Sequence, residues 1–280
     1  MSVTGEFYKY SEGRLEAVDI ALADTLSVAD SFLVSSGMGR AVLRHFERFA
    51  NSITDDQVTS SQLPEFFSAV LQNTPDSEDW FPRLEYRNSQ PLGQRLFLRM
   101  RPAPERTESC TLWTLDEPDS RVSPAIKGPD LSLCQKFRRV ANMHGADEAV
   151  LVDSHGFIAD GALSSIVWWR DDVLCAPDDR TQWLPSITRE LVFELASQAG
   201  YESKEERVRP EDLTGCEVWS LSALQGIRAV VGWGDIPLAL PRLNKPFAKR
   251  LALLMEPLPE PESLSAKFSS ELGEKCVAGS

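Results

Sequence analysis

The chain of 280 residues carries several side chains able to do acid, base or covalent chemistry, and their spacing excludes most familiar arrangements. The three histidines, His45, His144 and His155, form no HExxH or comparable ligand pair, and the carboxylates are not grouped to complete a metal site. No metal is expected. The five cysteines, Cys110, Cys134, Cys175, Cys216 and Cys276, are odd in number and widely spaced without a CxxC pair, so neither a disulfide framework nor a zinc knuckle is indicated. They read as reduced, structural thiols. There is no GxSxG, no Walker loop and no GxGxxG ahead of a helix. What remains is an ordered set between Lys127 and Val230: Lys127-Gly128-Pro129-Asp130-Leu131, then Gly145 to Asp153 (GADEAVLVD), then Gly156 to Gly161 (GFIADG), then Leu184 to Arg189 (LPSITR), then Glu217 to Leu224 (EVWSLSAL). Lys127, one of only eight lysines, offers a primary amine, a group that becomes a nucleophile when burial or a neighbouring cation lowers its pKa.

This order resembles the class IV aminotransferases, the fold-type-IV group of pyridoxal-phosphate enzymes, and within them the aminodeoxychorismate lyase-like members most. The resemblance covers the second half of the chain well and the first half poorly. It implies pyridoxal 5'-phosphate as the cofactor. It implies Lys127, 20 residues ahead of Asp147, as the Schiff-base lysine and general base. It places Asp160 where the family keeps the carboxylate that pairs with the protonated pyridine nitrogen, although the family usually has the longer glutamate there. Ile187-Thr188 match the family's phosphate-binding turn, and Ser222-Ala223 match a second such turn; backbone N–H groups at a helix start and an arginine are what a phosphate needs. His45-Phe46-Glu47-Arg48-Phe49 resembles the family's HxxRL helix, which makes Arg48 the phosphate cation. Arg101 and Arg106 follow a strand-like segment where the family often has arginines near the substrate carboxylate, a role suited to bidentate pairing.

Plainer readings stand beside these. Lys127 could be a solvated linker lysine, Asp160-Gly161 could close a turn after a strand, Arg48 could face solvent from an amphipathic helix, and Arg101 and Arg106 could end a solvated strand. Of Trp168-Trp169, adjacent in a strand, at most one can line a pocket. Val28 to Val34 (VADSFLV) replaces the glycine-rich YGxGxFExxR-like strand of the family without its glycines or its final arginine. The resemblance implies a lyase that converts 4-amino-4-deoxychorismate to pyruvate and 4-aminobenzoate for folate synthesis. The alternatives are an amino-acid aminotransferase, branched-chain or D-specific, and an inactive relative that serves as a binding or structural protein. A homodimer acting on a small-molecule amine is implied by the same resemblance.

The elements that must position these residues differ along the chain. Residues 1–119 show short apolar runs, such as Phe32-Leu33-Val34 and Leu96 to Met100, between polar loops, with helices predicted from Arg40 to Phe49 and from Ser61 to Thr74 by an i, i+3, i+4 apolar pattern. Asp116 to Pro129, with three prolines, reads as a connection between domains. Beyond it come a helix from Leu131 to Met143, a hairpin over Ala149 to Ala159, a second over Ser165 to Cys175, a helix from Ile187 to Gly200, then a strand at Glu217 to Leu221 leading into a turn and helix. The expected fold is α+β in two domains of the D-amino-acid aminotransferase-like, fold-type-IV kind: a smaller N-terminal α/β domain over 1–119, a larger cofactor-binding domain with a β-barrel-like core over 120–256, and a flexible Pro-, Ser- and Glu-rich tail over 257–280. The formal charge of −13, from 29 basic and 42 acidic residues without a basic stripe, argues against nucleic acid as a partner. No apolar run is long enough for a bilayer and the start is charged, so the expectation is a cytoplasmic protein without membrane contact.

Overall fold

A computed structural model describes residues 5–19, 25–261 and 264. Two compact units emerge, 1–104 with 255–280, and 105–254. The first boundary therefore falls ahead of the proline-rich stretch and not within it, because Ser109 to Thr114 is already a strand of the second unit's sheet.

In the first unit β1 (Glu6–Ser11), β2 (Arg14–Ala17) and β3 (Val28–Ser31) are followed by the short strands β4 (Val34–Ser35) and β5 (Met38–Arg40). Three helices, α1 (Val42–Asn51), α2 (Asp56–Ser61) and α3 (Leu63–Gln72), precede β6 (Asp79–Trp80), β7 (Arg83–Tyr86) and β8 (Leu96–Met100). One sheet has the order β2-β1-β8-β7-β3. Its alternating residues Val28, Leu84, Tyr86, Leu96 and Leu98 pack on Phe46, Phe49, Phe66 and Phe67 of α1 and α3 in one buried cluster. Phe46 and Phe67 stack at 4.3 Å between ring centroids. The helix predicted from Ser61 to Thr74 is α3, opened by Pro64, and the short α2 ahead of it is capped by Asp55 through the N–H groups of Gln57 and Val58.

The second unit contains β9 (Ser109–Thr114), α4 (Leu131–Met143), β10 (Glu148–Val152), β11 (Ile158–Gly161), β12 (Ser165–Arg170), β13 (Val173–Pro177), α5 (Ile187–Gln198), β14 (Glu202–Glu206), β15 (Glu217–Ser222), β16 (Gly226–Trp233) and α6 (Asn244–Ala252). The strands form one sheet in the order β11-β10-β9-β16-β15-β12-β13-β14. Its two edges meet where the Ile158 N–H donates to the Val208 carbonyl at 2.9 Å, so the sheet curls toward a barrel around Leu112, Val150, Ile166, Trp168, Val218 and Val230. Both predicted hairpins are present. The segment after Ser222 is not a helix: Ser222 pairs with Gly226 and the chain returns directly as β16, whose Val230 and Trp233 bury in the core. Trp168 and Trp169 are both buried, on opposite faces, Trp168 in that core and Trp169 against Tyr201, Trp219 and Phe247. Finally β17 (Met255–Pro257) pairs antiparallel with β5, back in the first unit. Of the expected tail, residues 262–263 and 265–280 lie outside the described residues, as does Cys276.

Candidate active site

Lys127 lies half-buried in the loop between β9 and α4. The loop is tied from below by Asp130, whose carboxylate accepts the N–H groups of Val122 at 3.1 Å and Ser123 at 2.7 Å. Gly128, next to Lys127, has φ +152°, a backbone setting that side chains rarely adopt.

Asp160 sits on β11, opposite Leu151 of β10, and is 3% exposed. Burial pushes its carboxyl up to about 6, against the opposing pull of Arg121, of the Leu184 and Gly161 N–H groups and of Arg189. Its Oδ2 accepts the Leu184 N–H at 3.1 Å and lies 3.4 Å from Arg121 Nη1; its Oδ1 accepts the Gly161 N–H at 3.0 Å. The hairpin end needs a glycine after it, because a Cβ on Gly161 would stand 2.6 Å from the Ser164 carbonyl oxygen. Asp160-Gly161 thus shapes a turn and also delivers a buried carboxylate.

Leu184 leads straight into α5. Ser186 caps that helix, its Oγ accepting the Arg189 N–H at 3.3 Å, and Ile187 and Thr188 are buried in the first turn. The first-turn amides of a 12-residue helix make a receptive end for an anion. Ser222 and Ala223 lie half-buried at the tight β15–β16 turn, where Ser222 Oγ accepts the Gln225 N–H at 3.1 Å.

In the first unit, α1 presents His45 and Arg48 on one face, three residues apart, and both reach the fully buried Asp30 of β3. Arg48 donates from Nε to Asp30 Oδ2 at 2.8 Å and from Nη2 to Oδ1 at 2.8 Å, while His45 Nδ1 lies 2.8 Å from Oδ1. The HxxR motif is therefore locked to the strand that lacks the family's glycines, and Asp30 is its anchor. Arg101 is half-buried at the end of β8, donates to the Phe81 carbonyl at 2.9 Å and lies over the Phe81 ring. Burial, with Arg83 and Arg99 nearby, pushes it down to about 10. Arg106 is exposed and belongs to the second unit, so the two arginines do not share a unit.

Sequence reasoning missed Asp30, Arg121 and the Leu184 amide. Ser186 had a readable signal, a serine directly before a helical pattern. Arg121 had none, since an arginine in a proline-rich stretch looks solvated, yet its side chain is 4% exposed. Among the described residues no group of three His, Cys, Asp or Glu could hold a metal ion. Cys110, Cys134, Cys175 and Cys216 are free and buried.

Residues 27–233 match the amino-transferase class IV family, and the chain belongs to that family. The branched-chain-amino-acid aminotransferase of Escherichia coli is 29% identical over 145 residues, 48% of this chain and 46% of that protein. The chain thus matches just under half the length of that relative. A solved structure of a hypothetical aminotransferase from Mycobacterium tuberculosis in its PLP-bound form superposes with a TM-score of 0.73 at 18% identity, covering 89% of this chain and 98% of that one. The crystal structure of the E. coli branched-chain amino acid aminotransferase gives 0.73 at 18% identity over 90% and 94%. The two-domain fold of the fold-type-IV enzymes is thereby shared.

Proposed function

We propose that the chain is a pyridoxal 5'-phosphate-dependent aminotransferase for a small amino acid, with branched-chain amino acids the first substrates to try. One observation carries this reading: the Leu184 amide fixes the buried Asp160 carboxylate, and three residues later the same segment becomes the anion-receptive start of α5. A carboxylate for a ring nitrogen and amides for a phosphate are thus tied together by one short stretch of chain. The donor set fits the cofactor. Asp160 keeps acceptor capacity beyond its present partners, because a carboxylate offers about four lone-pair sites. The bound cofactor would supply an electron sink for negative charge at the substrate Cα.

The residues divide the work. Lys127 is the attachment amine and the base that takes and returns the proton at the substrate Cα. Asp160 holds the ring nitrogen. Ile187, Thr188, Ser222 and Ala223 of the second unit bind the phosphate. A homodimer completes the reading.

The relatives named above are aminotransferases, which favours transamination over the lyase that the sequence resemblance implied. The test is an absorption spectrum of the full chain with added pyridoxal phosphate, for the parent and for Lys127→Ala, followed by assays with leucine plus 2-oxoglutarate and with aminodeoxychorismate. A band at the violet edge of the visible that requires Lys127, with keto-acid exchange, is the expected result. Release of aminobenzoate would move the assignment to the lyase. Absence of the band at saturating cofactor would leave an inactive relative.

A further inference from the structure

In the second unit Arg121, which the proposed function does not use, makes a charged contact with Asp160. Arg121 lies in the loop after β9, and every nitrogen of its guanidinium has a partner. Nε donates to both oxygens of Asp119, at 3.1 and 2.9 Å, and Nη2 lies 2.8 Å from Asp119 Oδ2 and donates to the Gln182 carbonyl at 3.0 Å. Nη1 faces Asp160 Oδ2 at 3.4 Å, with both side chains 4% exposed. Gln182 precedes Leu184 by two residues, so the same arginine grips the segment whose amide holds Asp160.

We infer that Arg121 is a positioning residue that keeps Asp160 ionised and oriented for a protonated ring nitrogen. The inference rests on the cofactor reading above for its purpose, and on geometry for its substance. An isolated buried carboxylate takes up a proton instead of staying charged, and a cation within a few ångströms opposes that. Asp160 is a short side chain in place of the family's usual glutamate, so it has less reach with which to find another partner. Asp119 prevents Arg121 from swinging away. Further charged or titratable groups near Asp160 or Arg121 are Arg189 of α5, itself paired to Glu205 at 2.7 Å, and on α4 Cys134, a thiol that burial pushes up to about 12, with Asp130 beside it. A neutral thiol carries no charge to offset that of Asp160, and Arg189 acts on Asp160 more weakly than Arg121 does.

The experiment compares unfolding stability against pH for four full-length proteins without added cofactor: the parent, Asp160→Asn, Arg121→Gln and the double variant. Subtracting each Asp160→Asn background isolates the Asp160 titration. In the parent its upper end is expected near pH 6. With Arg121→Gln it should move up by about one unit or more, the effect of removing an opposite charge at this range. Arg121→Lys, which keeps a charge without the fork on Asp119, is expected to restore part of the shift and serves as the probe where the glutamine variant does not fold. Coincident Asp160 titrations in the parent and in Arg121→Gln would overturn the inference. The colour test is run in parallel, so the two readings fail separately. A shifted titration without a Lys127-dependent band would defeat the cofactor reading alone. A band with unshifted titration would defeat the role of Arg121 alone.

Discussion

Asp160 is where burial and pairing are most nearly balanced, and that balance is measurable. Its carboxyl stands at about 6 in the folded protein against 3.8 for the free side chain, so the folded state favours the protonated form. The stability it contributes is complete below pH 3.8 and is lost as pH rises through about 6, a change of about 3 kcal/mol at 1.36 kcal/mol per unit. The difference in unfolding free energy between the parent and Asp160→Asn should fall by that order between pH 4 and 6 and stay level above. A flat difference in chemical denaturation would show that the carboxylate is not buried as described. Gly161 gives a second expectation at this scale. Alanine there brings a Cβ to 2.6 Å from the Ser164 carbonyl, and about 1–3 kcal/mol of destabilisation should follow, with weaker cofactor colour because the Asp160 hairpin end must shift.

At the scale of elements, α5 and α6 begin in different ways, and each beginning can be probed. Ser186 caps α5, so Ser186→Ala should cost about 1 kcal/mol and lower the affinity for the phosphate-bearing cofactor more than it lowers stability. Isothermal titration beside thermal melting separates the two effects. α6 has no cap of its own. Glu217 of β15 reaches across and accepts the N–H groups of Arg242, Leu243 and Asn244 at 2.9, 3.0 and 3.0 Å, together with Trp219 Nε1 at 2.8 Å. A carboxylate at 5% exposure with four donors is a structural pin. Glu217→Ala is expected to lower stability by about 3 kcal/mol or more, and hydrogen exchange in residues 244–252 should rise first.

For the molecule as a whole, the periodic elements were legible in the sequence, and the contacts between distant loops were not. α4 matched its expected span, and α5 matched closely, because apolar spacing and end signals agree there. β15 is legible as a strand, but the sequence pattern points to a turn and helix where β16 follows, since the short apolar run of Ile227, Ala229 and Val230 does not distinguish strand from helix. The candidate site residues on regular elements, Asp160 and Ile187-Thr188, could be proposed from their neighbours. Asp30 and Arg121 could not, because an acidic residue in a strand and an arginine in a loop acquire meaning only from partners far away in the chain. The division of the molecule also depends on such distant pairing. Removing residues 255–280 takes away β17 and its ladder to β5, and the expected outcome is a first unit that unfolds separately and is cleaved first by protease, while 105–254 stays protected.

That ladder orders events during synthesis as well. The second unit is an uninterrupted stretch of chain, whereas the first lacks its last strand until residue 257 has been made, some 150 residues after Pro104. At ribosomal speeds the delay is on the order of ten seconds. The edge of β5 stays unpaired on its β17 side throughout that interval, so the part of the molecule that begins first is the part that finishes last, and it is the one that a chaperone or a slowed ribosome would most affect.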